Sequence, residues 1–155
     1  MAFRLAPPMV RLMDIQSAAI IHRFSHDGQQ EVLLVTSRRT GRWVVPKGTV
    51  RLGEHPAKAA EREALEEAGI VGVARIEPIA NFVRTNKPAD NRPLPVQVFL
   101  IEPEAQLPVW NEMHQRRRIW ASVDEAIRIV SNANMRQVLL GFRSTRLLGC
   151  NQDRA

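Results

Sequence analysis

Glu63, Glu66 and Glu67 stand at positions i, i+3 and i+4 of a segment rich in alanine and glutamate. On a helix that spacing gathers three carboxylates within about 100° on one face. Two carboxylates about 6 Å apart at an effective dielectric near 20 repel by roughly 3 kcal/mol. Either solvent screens the stripe, or something positive sits on it. A ligand set of oxygens alone would select a hard cation, Mg²⁺ or Mn²⁺, over zinc. Upstream, Pro46-Lys47-Gly48 forms a turn able to present a backbone carbonyl, and Gly53-Glu54 precedes the helix.

The elements that must position these groups can be read from the same chain. Pro56 at a first helical position and Gly69 just past the end bracket a helix over Pro56 to Ala68. Within it Ala57, Ala60, Ala64 and Ala68 make a stripe of small side chains suited to close packing on a sheet. Strands are expected at Ser17 to Phe24, Glu31 to Thr36, Arg42 to Val45, Ile70 to Phe82, Val96 to Ile101 and Arg117 to Ala121. Thr85 to Pro95 holds three prolines and two asparagines and is expected to be a long loop, with a second loop over Glu102 to Pro108. Ser122 with Glu125 three residues on is a capping box, and a last helix is expected near Asn134 to Leu148. Strands and helices mix without strict alternation, which favours α+β or α/β/α over a doubly wound sheet.

Composition narrows the class. Over 155 residues, 22 Lys+Arg stand against 16 Asp+Glu, a formal charge of +6, with 45% hydrophobic residues. That is ordinary globular composition, and the length suits one domain over residues 1–155 with a loose arm over 1–14. The single cysteine, Cys150, excludes an internal disulfide framework and a cysteine-based zinc site. No apolar run approaches the roughly 20 residues of a membrane span. Met1 to Met13 carries Arg4, Arg11 and Pro7-Pro8 without an apolar block, so no secretory signal is expected. That stretch also has no acid before Asp14, which leaves a short organelle-targeting arm open; the expected location is the cytoplasm. The positive charge suits a polyanion, a highly phosphorylated small molecule, or solubility alone.

From Gly48 the chain reads Gly, five residues, Glu54, seven residues, then Arg62-Glu63-Ala64-Leu65-Glu66-Glu67-Ala68-Gly69-Ile70. This resembles the signature of the Nudix hydrolases, G-x5-E-x7-R-E-U-x-E-E-x-G-U, where U is bulky and aliphatic. Every fixed position matches, and Ala64 replaces one bulky residue. Outside this box, Leu34 to Arg38 with Arg42-Trp43, and Trp110-Asn111-Glu112 followed by Arg116-Arg117-Arg118-Ile119-Trp120, resemble the diphosphoinositol-polyphosphate and diadenosine-polyphosphate branch.

The resemblance implies an α/β/α sandwich with a mixed sheet and metal-dependent cleavage of a phosphoanhydride by water. It implies Mg²⁺, with Mn²⁺ as substitute, held by Glu63, Glu67 and the Lys47 main-chain carbonyl. Glu66 becomes a further ligand or the base, with Glu63 or a later loop as other candidates for that base. Arg62 would hold the carboxylates, and Glu54 would support them or bind an extra ion. In the resembled branch, basic residues near Arg38, Arg116, Arg118 and Arg136 hold the substrate's phosphates. Its inositol-type members carry basic residues where this chain has Gln16-Ser17, which tilts the expectation toward dinucleoside polyphosphates. Nucleotide sugars, RNA 5′ ends, or a non-catalytic phosphate- or RNA-binding module are the alternatives. With no Tyr and 5% aromatics, stacking platforms for nucleic acid are poorly supplied. The expected partner is a small phosphorylated substrate, with no membrane.

Overall fold

The computed structural model describes residues 14–85 and 93–149. The expected arm over 1–14 therefore lies outside the described residues except for Asp14. So do Cys150 and residues 86–92 of the Thr85 to Pro95 loop. In chain order the elements are β1 (Gln16–Phe24), β2 (Gln30–Thr36), β3 (Trp43–Val44), β4 (Lys47–Thr49), α1 (Pro56–Ala68), β5 (Ile70–Ala74), β6 (Ala80–Thr85), β7 (Pro93–Gln106), β8 (Arg118–Ser122), α2 (Val123–Ile129) and α3 (Ala133–Gly149).

One parallel pairing, β1 with β7, sits among antiparallel ones, so the sheet is mixed. The central order is β3-β2-β1-β7-β5, with β4 on β1, β6 on β7 and β8 on β2. Alternation along the strands produces two separate cores, because successive side chains point to opposite faces. Ala18, Ile20, Val32, Leu34, Val98 and Leu100 face α2 and α3, meeting Ala126, Met135, Leu139 and Phe142. Ala19, Ile21, Leu33, Val35, Phe99 and Ile101 face α1, meeting Ala57, Ala60, Ala64 and Ala68. Helices thus cover both faces of the sheet, and the architecture is the α+β sandwich expected.

The alanine stripe explains why α1 can lie so close to the strands that its first-turn and mid-helix residues are sealed from water. Its start is set by His55, whose Nδ1 accepts the Ala57 N–H at 3.1 Å, with Pro56 following. Its end is set by Gly69 at φ 65°, ψ 30°, whose N–H turns back to the Ala64 and Leu65 carbonyls. A Cβ on Gly69 would lie 2.7 Å from Trp110 Cβ and 2.9 Å from Arg118 Nη1. We expect Gly69→Ala to lower stability by about 1–3 kcal/mol, from left-handed backbone strain and this clash together. Denaturant titration of the two chains measures it; an unchanged midpoint contradicts the packing described.

Several boundaries differ from the sequence reading. The strand expected over Ile70 to Phe82 is two strands, β5 and β6, laid along one partner. Arg75 and Ile79 still donate to the Leu100 and Val98 carbonyls at 3.0 and 2.8 Å, while residues 76–78 bulge out around Pro78, which has no N–H to offer. The loop expected over Glu102 to Pro108 is largely strand, since β7 runs to Gln106. Pro103 is tolerated there because it faces Gly72, where the β5–β7 register shifts. At its other end β7 takes in Pro93 and Pro95, and Thr85 closes β6, so the proline-rich loop is shorter than expected. The Lys47-Gly48 turn carries a short strand, β4, on β1. The capping box holds: Ser122 Oγ accepts the Glu125 N–H at 3.1 Å.

Candidate metal and phosphate site

Glu63 and Glu67 both lie on the sheet-facing side of α1, 8% and 7% exposed. Glu66 faces outward, its side chain 33% exposed. The three carboxylates expected on one face are therefore graded: two sealed, one open to solvent. Against the sealed pair runs β4. Lys47 N–H points to Glu67 Oε2 at 3.4 Å, and a Cβ on Gly48 would sit 2.0 Å from Glu63 Oε1. Only a glycine lets that carboxylate reach the strand.

Guanidiniums neutralise the cluster. Arg62 forks onto Glu54, Nε to Oε1 at 2.9 Å and Nη2 to Oε2 at 3.1 Å, donates to the Thr49 carbonyl at 3.0 Å, and pairs with Glu63 through Nη1. That fork holds the Glu54 carboxyl below its usual range and the Arg62 guanidinium above its own. Arg62 Nη1 and Arg51 Nη2 lie 3.6 and 3.7 Å from Glu66. Arg116, with its side chain only 7% exposed, donates Nη2 to Glu67 Oε1 at 2.7 Å and Nη1 to the Thr36 carbonyl at 2.9 Å, and pairs through Nε with Glu112.

Burial outweighs those partners at the two sealed acids. Glu67 is pushed up to about 7 by desolvation, against the opposing pull of Arg116, and Glu63 is raised for the same reason. Lys47 is lowered, by desolvation first, with Glu67 opposing. The raised Glu67 carboxyl has a stability consequence. Below about pH 4.5 it is protonated folded and unfolded; between there and about 7 only the folded chain keeps the proton, so stability falls as pH rises through that window. We expect up to about 3 kcal/mol of this fall to be missing in Glu67→Gln. Denaturant midpoints of both metal-free chains from pH 4 to 8 check it; parallel curves contradict it.

Among the described residues, no three carboxylate, histidine or cysteine side chains are gathered closely enough to ligate one ion as they stand. The donor set nonetheless fits a hard cation. Two carboxylates taken out of water meet at a strand whose glycine makes room for one of them, an all-oxygen donor set of the kind a hard cation takes. The residues that could hold it are Glu63, Glu67 and the Lys47 backbone, with Glu66 at the solvent edge.

The expected phosphate-binding arginines are not all together. Arg38, its side chain 57% exposed, lies 3.4 Å from Glu112 and donates to Gln115 at 3.1 Å, next to Arg116. Arg118 instead spans the Ala68 and Leu107 carbonyls at 2.7 and 2.9 Å and stacks on Trp110 at 3.8 Å. Arg136 lies on α3, across the sheet, bonded to the Ile127 and Val130 carbonyls at 3.1 and 3.2 Å. Trp43 packs against the α2–α3 core under Arg117. Two residues at the site were missed, Arg51 and Glu112. The i, i+4 spacing of Glu112 and Arg116 was the available signal for the second; Arg51 had none.

A family model for the NUDIX domain matches residues 14–142. The chain belongs to the NUDIX family. This Nudix chain is 37% identical over 109 residues to "Nudix hydrolase 18, mitochondrial" of Arabidopsis thaliana, covering 67% of the chain and 60% of that protein. It is 32% identical over 110 residues to "Diphosphoinositol polyphosphate phosphohydrolase 3-alpha" of Mus musculus, covering 69% of the chain and 64% of that protein. Among solved structures, a C. elegans Ap4A hydrolase in a binary complex superposes with a TM-score of 0.72 at 26% identity, covering 88% of this chain and 99% of that one. The Nudix chain spans about three fifths of the length of the curated relatives it matches. Names among those relatives read mitochondrial and chloroplastic rather than cytoplasmic. No helix among the described residues is long and apolar enough to cross a membrane.

Proposed function

We propose that this Nudix chain is a Mg²⁺-dependent hydrolase that cleaves a phosphoanhydride bond in a phosphate-rich small molecule by attack of water at phosphorus. The observation that carries this reading is the sealed Glu63–Glu67 pair against the Gly48 strand. Bound there, the cation would neutralise phosphate oxygens and lower the pKa of the attacking water. Glu63, Glu67 and the Lys47 carbonyl would hold it. Arg62, clamped on Glu54, fixes Glu63 from the side. Glu66 is the carboxylate open to solvent, and that exposure suits it to take the proton from water. Arg38 and Arg116 supply cations for the phosphates, whose oxygens gather charge during displacement. Arg118 and Arg136 are left out, because their guanidiniums are held by main-chain carbonyls, whereas Arg38 and Arg116 pair with carboxylates of the cluster.

Dinucleoside polyphosphates are the preferred substrates, with diphosphoinositol polyphosphates second. At the start of β1, Ser17 is sealed, its hydroxyl donating to the Pro56 carbonyl at 2.7 Å, and Gln16 brings no charge, so neither of these two residues adds a cation for a densely phosphorylated ring. The names of the relatives support both classes.

The test is a panel of diadenosine tetraphosphate, a diphosphoinositol polyphosphate, a nucleotide sugar and a 5′-triphosphate RNA, each with Mg²⁺ in ¹⁸O-labelled water and again with chelator. The reading expects chelator-sensitive cleavage, fastest on the dinucleotide, with label in one phosphate product. Binding without cleavage of any member overturns it in favour of a phosphate-binding module.

A further inference from the structure

Glu112 ties three parts of the site together. Its carboxylate pairs with Arg116 Nε and lies 3.4 Å from Arg38 Nη1, and its backbone N–H donates to the Glu66 carbonyl at 3.2 Å. Beside it, the Trp110 indole N–H caps the Glu67 carbonyl at 3.1 Å, so this loop is fastened to the last turn of α1. Arg116 in turn is shared by two carboxylates of different standing. Its Nη2 lies on Glu67, a proposed cation ligand, and its Nε on Glu112, which is not one.

A guanidinium on Glu67 Oε1 stands where a divalent cation would be drawn, and one of its Nη2 hydrogens is taken by that carboxylate while it stays there. If Glu67 gives it up, the Thr36 carbonyl is a neutral acceptor, and only Glu112 offers a charge-assisted bond to keep the side chain in place. Resting on the function proposed above, we propose that Glu112 is a positioning residue: it retains Arg116 at the site when Glu67 exchanges that guanidinium for a divalent cation, turning the freed Nη2 toward a substrate phosphate. Arg38 on the other flank of the same carboxylate makes Glu112 the spacer between two guanidiniums, an arrangement that suits a chain of phosphates.

The test records guanidinium N–H spectra of ¹⁵N-arginine-labelled chain, wild type and Glu112→Gln, titrated with MgCl₂ alone. In the wild type, Mg²⁺ should free rotation at Arg116 Nη2 while its Nε–H stays ordered. In Glu112→Gln the Nε–H should become mobile as well. The companion kinetics should show KM for diadenosine tetraphosphate raised about tenfold with kcat within about twofold, and Glu112→Asp should recover part of the loss. Arg116 signals that do not move while Mg²⁺ binds, shown by calorimetry, overturn this inference and leave the metal reading standing. Calorimetry showing no Mg²⁺ binding overturns both.

Discussion

Glu67→Gln should lower Mg²⁺-dependent turnover by at least about 10³-fold while the chain stays folded. Glu67 is the more deeply sealed of the two acids and is offered both Arg116 and the Lys47 N–H. Replacing one carboxylate oxygen by an amide keeps its shape and one acceptor, so packing on the sheet survives, but the charge that draws a divalent ion is gone. The loss should appear in kcat/KM at saturating Mg²⁺, with a far-ultraviolet spectrum like that of the wild type. Activity within tenfold of wild type counts against the role given to this residue.

The second large effect is expected at Gly48, a residue with no functional group. A Cβ there would fall 2.0 Å from Glu63 Oε1 and 2.2 Å from Glu63 Cδ. What blocks it is the far end of a flexible side chain, not backbone, so the carboxylate can move aside. Gly48→Ala should therefore cost little stability, within about 1 kcal/mol, since a flexible carboxylate and not backbone has to give way to the methyl. Moving Glu63 disturbs the proposed ligand pair and breaks its contact with Arg62, and loss of such an orienting contact alone costs about 10–100-fold in metal affinity. Thermal melts paired with Mn²⁺ titration separate the two effects. A large fall in stability with unchanged Mn²⁺ affinity would place Gly48 in the fold rather than the site.

Much of this site could be read from one stretch of chain because one element carries it. Pro56, the alanine stripe and Gly69 define α1 by local rules, and helical spacing gathers Glu63, Glu66 and Glu67 on one face of it. Sequence spacing could not tell which carboxylates are sealed. That depends on α1 lying on β1 and β7 and on β4 returning beside Glu63 and Glu67, contacts made by residues far away in the chain. The arginines show the same limit more strongly. Arg38, Arg116, Arg118 and Arg136 have equal chemistry in the sequence, yet the fold gives Arg116 to Glu67 across 49 residues and turns Arg118 and Arg136 to main-chain carbonyls. Strand ends were misread at prolines. Pro95 and Pro103 read as breaks, but one stands on the stretch paired to β6 and the other at a register shift, where a missing N–H does no harm.

The account turns on Glu63 and Glu67 sharing a divalent ion, and anomalous diffraction from a Mn²⁺-soaked crystal addresses that directly. It predicts a peak within ligand distance of both carboxylates and the Lys47 carbonyl, with Arg116 withdrawn from Glu67. A chain that hydrolyses its substrate while its manganese peak lies away from both glutamates would contradict it.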